Sequence, residues 1–390
     1  MKRVLLTSNH LFRWAGSELV VVELAEELQR QGLRVDVCAH EISGEVREHL
    51  AAATTNFFED PEAVCLFDYD VVISLHSVLP RIFNAALKSG PSQNKTWPAF
   101  VFFHLSPFEP YEAPGPFIER RFADVVVANS QETAAELATY GGKFADAVVF
   151  ANPAPLAFAN SDSAPSKLKT LLAVSNHPPE EFAKACKILR SGGVKVHRIG
   201  RKNVPMRVTE GMIAQADAIF TIGKTAQYSF RTGRPVYCYD RFGGPGWLSA
   251  DNFDKAAEFN FSGRCTNLKR SSHQIADEIV SGFEQAAAFA DELKSSNLDR
   301  YRLEVCLAKL LEAAQTALDA KDRNARLDQM FANPDVHSEI KVEAASALLL
   351  SREFLRRRFL EKKREKKRQM FSFGRGAQRS ILGVKAGRSA

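Results

Sequence analysis

The segment KRVLLTSNHLFRWAGSELVVVELAEELQRQGLRVDVCAH, residues 2–40, decides the fold class. Val4 to Thr7 reads as a buried strand that runs into a loop holding Ala15, Gly16 and Ser17. A helix follows from about Glu18 to Arg30, stopped by Gly32, and Leu33 to Ala39 reads as a second strand. That is one βαβ unit, whose right-handed crossover makes the two strands parallel. Val21, Leu24, Ala25 and Leu28 recur at helical spacing and form an apolar stripe that can cover a sheet. Ser17 suits the helix cap, and Glu18 suits its positive end. Free backbone N–H groups collect where the strand becomes a helix, so the turn can receive a phosphate or another polar group. Gly16 is equally compatible with a tight turn alone, and no GxGxxG fingerprint is present.

The same alternation continues outward. Strand-like runs lie at Val71–Leu75, Ala99–His104, Asp124–Ala128 and Val148–Phe150, with a helix capped by Ser130 over Gln131–Tyr140. Residues 160–168 (NSDSAPSKL) read as a linker. A second α/β pattern then places strands at Thr170–Val174, Val194–Ile199, Ala218–Ile222 and Pro235–Tyr239. Near-continuous apolar strands alternating with helices predict parallel sheets covered on both faces. The expected organisation is an α/β chain with a first domain over 1–160, a second over 168–265, a helical extension over 270–368 and a disordered basic tail over 369–390. Residues 270–322 read as two helices on either side of Ser295-Ser296-Asn297, and 338–368 as one long helix.

Composition narrows the class. The chain has 390 residues, enough for two cored domains, and no apolar run long enough to span a bilayer. Its six cysteines are scattered without a CxxC pair, which fits reduced thiols and gives no zinc or disulfide framework. The N-terminus enters a strand without a signal-peptide core, so the expected location is the cytoplasm. The net charge of +6 is unevenly spread: residues 334–390 carry +9 and the rest of the chain −3. A basic arm points to an anionic surface. In ASALLLSREFLRRRFLEKKREKKRQMF, residues 345–371, apolar residues (Leu348, Leu355, Phe359) recur among Arg356–Arg358 and Lys362–Arg368. Such a helix, over 344–368, can lie on the inner face of a membrane, or serve as a solvated or self-associating arm. No aromatic-basic platform accompanies the charge, so no nucleic-acid partner is expected.

Several short segments, taken in order, resemble the GT-B glycosyltransferases, and among them the family-4-like group. They are the opening unit with its ELAEEL helix, DVVVANSQ (124–131), Asn152-Pro153, ADAIF (216–220), GRPV (233–236) and Gly243-Gly244. The resemblance covers residues 1 to about 265. It implies two Rossmann-like domains facing a cleft, the GT-B fold. It further implies transfer of a sugar from a nucleotide-diphosphate sugar to a saccharide or lipid-linked acceptor in polysaccharide or glycoconjugate assembly, with no resident cofactor or metal.

Within that frame, Lys224 is expected to place its ammonium on the departing diphosphate, the plainer alternative being a solvated loop lysine. Gly223 and Thr225 would add backbone dipoles. Gly16, Ser17, Arg201 and Gln227 complete the expected donor contacts with Gly243, Gly244 and Gly246, three glycines that allow a close backbone approach. His104, at a strand end, is the expected proton acceptor, with Glu109 orienting or replacing it. Arg13 and Trp14 fall on the acceptor side. Two departures stand out. The glutamate pair (E-x7-E) of retaining members is absent from GKTAQYSFRTG (223–233), and Ser175-Asn176-His177-Pro178 stands where the family has an Arg and Lys pair. These departures keep two alternatives open: a non-catalytic sugar-nucleotide- or glycan-binding scaffold, and a nucleotide-sugar epimerase of the same build.

Overall fold

The structure is a computed structural model that describes residues 1–89, 96–159, 165–200, 205–296 and 298–385. Its strands, in chain order, are β1 (Arg3–Ser8), β2 (Arg34–Ala39), β3 (Asn56–Phe58), β4 (Val71–Leu75), β5 (Ala99–His104), β6 (Val125–Ala128), β7 (Val148–Val149), β8 (Thr170–Val174), β9 (Lys195–Ile199), β10 (Ala218–Thr221), β11 (Val236–Asp240) and β12 (Gly243–Trp247). The helices are α1 (Gly16–Arg30), α2 (Gly44–Ala51), α3 (Leu79–Ser89), α4 (Ile118–Phe122), α5 (Gln131–Ala138), α6 (Glu180–Ser191), α7 (Glu210–Ala214), α8 (Lys224–Thr232), α9 (Phe253–Glu258), α10 (Ser272–Ser281), α11 (Phe283–Ser295), α12 (Leu303–Leu318), α13 (Arg323–Ala332) and α14 (Pro334–Lys385).

Two sheets result. The first has seven parallel strands in the order β3-β2-β1-β4-β5-β6-β7. The second has five, in the order β12-β11-β10-β8-β9, parallel except for β12, which runs antiparallel to β11. In both sheets the chain winds outward in two directions from its opening strand. The switch points therefore lie between β1 and β4 and between β8 and β10, where an α/β sheet opens a crevice at its strand C-termini.

Burial follows the sequence periodicity. Val21, Leu24, Ala25 and Leu28 of α1 are fully covered and pack on Val4, Leu6, Val35 and Val37. Ser17 is not the cap: Ala15 takes the extended N-cap position, and the Ser17 hydroxyl donates to Glu18 at 2.9 Å. The Gly243–Trp247 segment is not an open turn but a strand. A Cβ on Gly243 would lie 2.3 Å from the Leu268 carbonyl oxygen, and one on Gly244 2.2 Å from that of Cys238. These glycines serve close packing between backbones.

The extension splits at Gly282 and again near Ser296, giving three helices where two are expected. α10 and α11 stay with the second sheet through Ile275, Ile279, Phe283 and Ala287. The crossing back begins at α12, whose Leu303, Leu307 and Leu310 join the core beside α1. On the other face, Leu327 and Phe331 of α13 and Val336 and Ile340 of α14 pack with Phe83, Phe100 and Phe122. Arg323, buried at the start of α13, binds Asp124 and the Trp97 and Pro98 carbonyls at 2.5–3.1 Å. α14 continues as helix to Lys385; no proline follows Pro334 to end it. Residues 160–164 of the expected linker and 386–390 of the tail lie outside the described residues.

Candidate active site

The two strand C-terminal faces meet across a cleft of about 580 Å³. Its first-domain side is built by Trp14 to Ser17 before α1, by Leu105, Glu109 and Glu112 after β5, and by Asn129 and Asn152. Its second-domain side is Ser175–His177 after β8, Gly200 after β9, Thr221–Thr225 after β10 and Asp240–Phe242 after β11. The N-termini of α1 and α8, one from each domain, open onto the same space, and their helix dipoles suit an anion.

Gly16, Ser17, Gly223, Lys224, Thr225, Trp14 and Glu109 all line the cleft. A Cβ at Gly16 would meet nothing within 4 Å, so no fold contact requires a glycine there. Gly223 has φ +59, which favours glycine, and Gly200 is more constrained. With φ +135, a Cβ on Gly200 would lie 2.0 Å from the Ser175 carbonyl oxygen. The β8 and β9 loops thus touch backbone to backbone at this point, with Asn176, His177 and Met206 lining the cleft beside them.

Lys224 and the remaining expected residues that the structure describes are engaged in the fold or lie outside the cleft. Lys224 is buried, with Nζ 2.7 Å from Glu23 of α1 and 3.2 Å from the Pro153 carbonyl oxygen. Its charge is neutralised across the domain boundary, because a buried ammonium without a partner is costly. Glu23 also accepts from the Tyr228 hydroxyl, and burial raises its pKa against the opposing pull of Lys224. Gln227 is buried and donates to Asn260 at 3.2 Å, away from the cleft surface. Gly243, Gly244 and Gly246 belong to the packed strand β12, and the neighbouring Trp247 plugs the sheet, its indole N–H bound to the Glu278 carbonyl. Arg13 lies over Phe12 and near Glu18, outside the cleft lining. Arg201 lies outside the described residues.

His104 is close to the site but enclosed. Its Nδ1 is 2.6 Å from the Glu112 carbonyl oxygen and its Nε2 2.6 Å from Glu119 Oε1. The carbonyl oxygen needs a proton on Nδ1 and the carboxylate favours one on Nε2, so the surroundings favour the charged ring. Burial opposes that charge, but the hydrogen bond and charge of Glu119 outweigh it and raise the pKa. A ring so occupied cannot take a proton from an acceptor; it holds the 105–119 segment in place.

That segment presents a carboxylate that sequence reading passes over. Glu112 lines the cleft, with Oε1 3.1 Å from His76 Nε2 and Oε2 accepting the Leu105 N–H at 2.8 Å. The Asn9 N–H points at His76 Nδ1 at 3.2 Å, so the ring proton sits on Nε2, facing Glu112. Nothing in PYEAPGPFIE (110–119) marks the residue, since the segment has no helical or strand period. Arg241 and Arg264 are also cleft residues missed by sequence reading. Arg264 stacks near Phe108 and Phe242 and holds Glu132 of α5 through two bonds of 2.6 and 2.8 Å. Arg207, likewise, spans the domains to Glu26 at 2.6 and 2.7 Å.

Residues 14–158 match the family model for Glycosyltransferase Family 4. The solved glycosyltransferase of Rickettsia africae ESF-5 superposes with a TM-score of 0.52 at 11% identity, over 82% of this chain and 99% of that one. The S. aureus MnaA–UDP structure gives 0.51 at 12% identity, over 82% and 97%. A TarM mutant of S. aureus, in complex with fondaparinux, alpha-GlcNAc-glycerol and UDP, gives 0.50 at 10% identity, over 80% and 100%. The fold is GT-B. No curated protein sequence matches the chain. In this GT-B chain the family match covers the domain that carries Glu112, while the second domain is tied to its relatives by fold alone.

Proposed function

We propose that this protein is a glycosyltransferase that moves a sugar from a nucleotide-diphosphate sugar to a hydroxyl of a saccharide or lipid-linked acceptor. The observation that carries the reading is the shape of the cleft. Its second-domain side combines the Gly200 and Gly223 backbone with Arg241, one helix N-terminus opens onto it from each domain, and its first-domain side bears a fixed carboxylate. The close backbone contact at Gly200 leaves room for a nucleotide, and the helix N-termini with Arg241 suit its diphosphate. Two of the superposed structures hold UDP, which supports a nucleotide ligand for the fold.

In this reading Glu112 accepts the acceptor's proton while its oxygen attacks the anomeric carbon. The bond from that carbon to the diphosphate breaks, and the electron pair leaves with the phosphate. His76 and the Leu105 N–H aim the Glu112 carboxylate. Among the described residues no helix is long and apolar enough to cross a membrane. A cytoplasmic enzyme resting on the inner leaflet through 344–368 fits the exposed Leu349, Leu355 and Phe359 beside Arg356 and Arg357.

The test is sugar release and transfer from a panel of nucleotide sugars, with Glu112→Gln in parallel. Turnover that falls in Glu112→Gln while nucleotide binding persists supports the reading. Nucleotide binding with no turnover in the wild type would favour the scaffold alternative instead.

A further inference from the structure

A second cavity, of about 330 Å³, lies between the first domain and α14, separate from the cleft lining. This volume falls within the range of small-molecule pockets, roughly 300–1,000 Å³. Phe102, Phe117, Ile118, Ala347 and Leu350 give it mainly apolar walls. Its ionisable groups are already engaged. His76 holds Glu112, His104 holds Glu119, and Glu343 accepts the Phe117 and Ile118 N–H groups at 3.2 and 2.9 Å. A polar ligand would lose its hydration there with little in return, whereas a hydrocarbon loses nothing.

The cavity opens along the flank of α14. Val342 and Leu350 line it and yet are 58% and 41% exposed, so they form its rim. The apolar surface continues outward along the helix. Val342, Leu349 and Leu360 are 7 and 11 residues apart and fall on one stripe; Leu349 is 65% and Leu360 41% exposed. Arg356 and Arg357 flank the stripe, and the basic run Lys362–Arg368 follows. An apolar cavity whose mouth opens on such a stripe is placed to take hydrocarbon from an anionic leaflet. Its inner end abuts the 105–119 segment. That segment turns one side to the cavity, through His104 and Glu119, and the other to the cleft, through Leu105 and Glu112.

We infer that this cavity holds the hydrocarbon chain of a lipid-linked acceptor, whose polar head reaches past the 105–112 loop to the cleft at Glu112. The inference rests on the transferase reading above and names its acceptor as a single-chain alkyl or isoprenoid lipid. The volume suits one chain better than the paired chains of a glycerolipid.

Displacement of the fluorescent fatty acid cis-parinaric acid from the full-length protein, by n-alkyl phosphates from hexyl to tetradecyl, reads the cavity alone. Affinity should rise roughly threefold to fourfold per added methylene until the cavity is full. Ser346→Trp, at an exposed position on the rim, and Ala347→Phe, inside, should each weaken displacement at least tenfold. Nucleoside diphosphate binding, followed by calorimetry on the same samples, should be unchanged in both variants. Affinity independent of chain length, or unaltered in both variants, would overturn the proposal. Displacement by phosphatidylglycerol vesicles as effective as by the single-chain phosphates would overturn the assignment to an acceptor. Failure of nucleotide binding alone would count against the donor cleft and leave the cavity result to be read separately.

Discussion

The two domains present their strand ends in opposite ways. The first fills its face with titratable side chains: His10, His76, His104, Glu18, Glu112 and Glu119 are all buried, or nearly so, and His76 pairs with Glu112 and His104 with Glu119. α14 covers part of them, with Phe354 stacked 4.2 Å from His10 and Arg358 over Phe12 and paired with Glu41 at 2.5 Å. Burial and then the His76, Arg13 and Arg358 charges push the His10 pKa down to about 3, so this ring stays neutral. The second domain's face is looser, with the Gly200 and Gly223 backbone set among Asn176, His177, Met206 and Arg241. The same α/β layout thus yields one side that holds protons in fixed places and one that gives room to a large ligand. On the proposed reading this difference separates chemistry from donor binding, and it can be broken at named residues.

The largest expected effect is on the first face. Glu112→Gln should lower turnover about 10²- to 10⁴-fold, the usual loss on removing a proton acceptor, with nucleotide affinity unchanged in calorimetry. Glu109→Gln, an exposed neighbour, should change turnover far less. A second large effect lies at the seam. Lys224→Ala leaves Glu23 buried without its cation and should cost about 3–5 kcal/mol in urea unfolding, while Glu23→Leu with Lys224→Met should recover most of the loss. A Lys224 devoted to phosphate would instead lose nucleotide binding at normal stability.

Glu343 sets a pH dependence. Burial pushes its pKa up to about 7 from the usual carboxylate range. A raised folded-state pKa means that the folded state holds the proton more tightly. The stability is full below about pH 4.5 and is lost as pH rises toward 7, by up to about 3 kcal/mol. The raised pKa of His104 acts with the same sign, its contribution fading as pH rises from the ordinary histidine value through the folded-state one. Thermal unfolding of Glu343→Gln should therefore show a flatter slope between pH 5 and 7 than the wild type.

The smaller effects belong to the backbone-lined parts of the cleft. Gly200→Ala drives a Cβ into the Ser175 carbonyl and should weaken nucleotide binding about tenfold, near 1.4 kcal/mol, by displacing the β8 loop. Gly16→Ala meets nothing and sits in the first turn of a helix, so stability should stay level or rise by about 0.5–1 kcal/mol. Any loss of nucleotide affinity in that variant would then report a ligand close to the α1 N-terminus.

The fold was largely legible because apolar runs and helical stripes are local signals. The opening βαβ unit and nearly every strand of both sheets lie within a residue or two of their sequence reading, and β3 was missed because Asn56–Phe58 is too short to show a period. The Gly243–Trp247 strand was read as an open ligand turn because a glycine run looks alike whether it meets a ligand or another backbone. The site was legible in position more than in role. Gly16, Gly223 and Thr225 do line the cleft, since residues after parallel strands must. Lys224 and His104 were given the wrong neighbours, because Glu23 and Glu119 reach them only through the tertiary fold. Glu112 and Arg264 sit in aperiodic segments that carry no local sign of function.

Calorimetric titration of the wild type and Gly200→Val with the diphosphates of uridine, guanosine and adenosine tests the central claim most directly. The account predicts saturable binding of one of them to the wild type and at least a tenfold loss in Gly200→Val, because it sets the nucleotide against the Gly200 backbone. Absence of binding by all three to folded protein at millimolar concentration, or equal binding to both proteins, would contradict it.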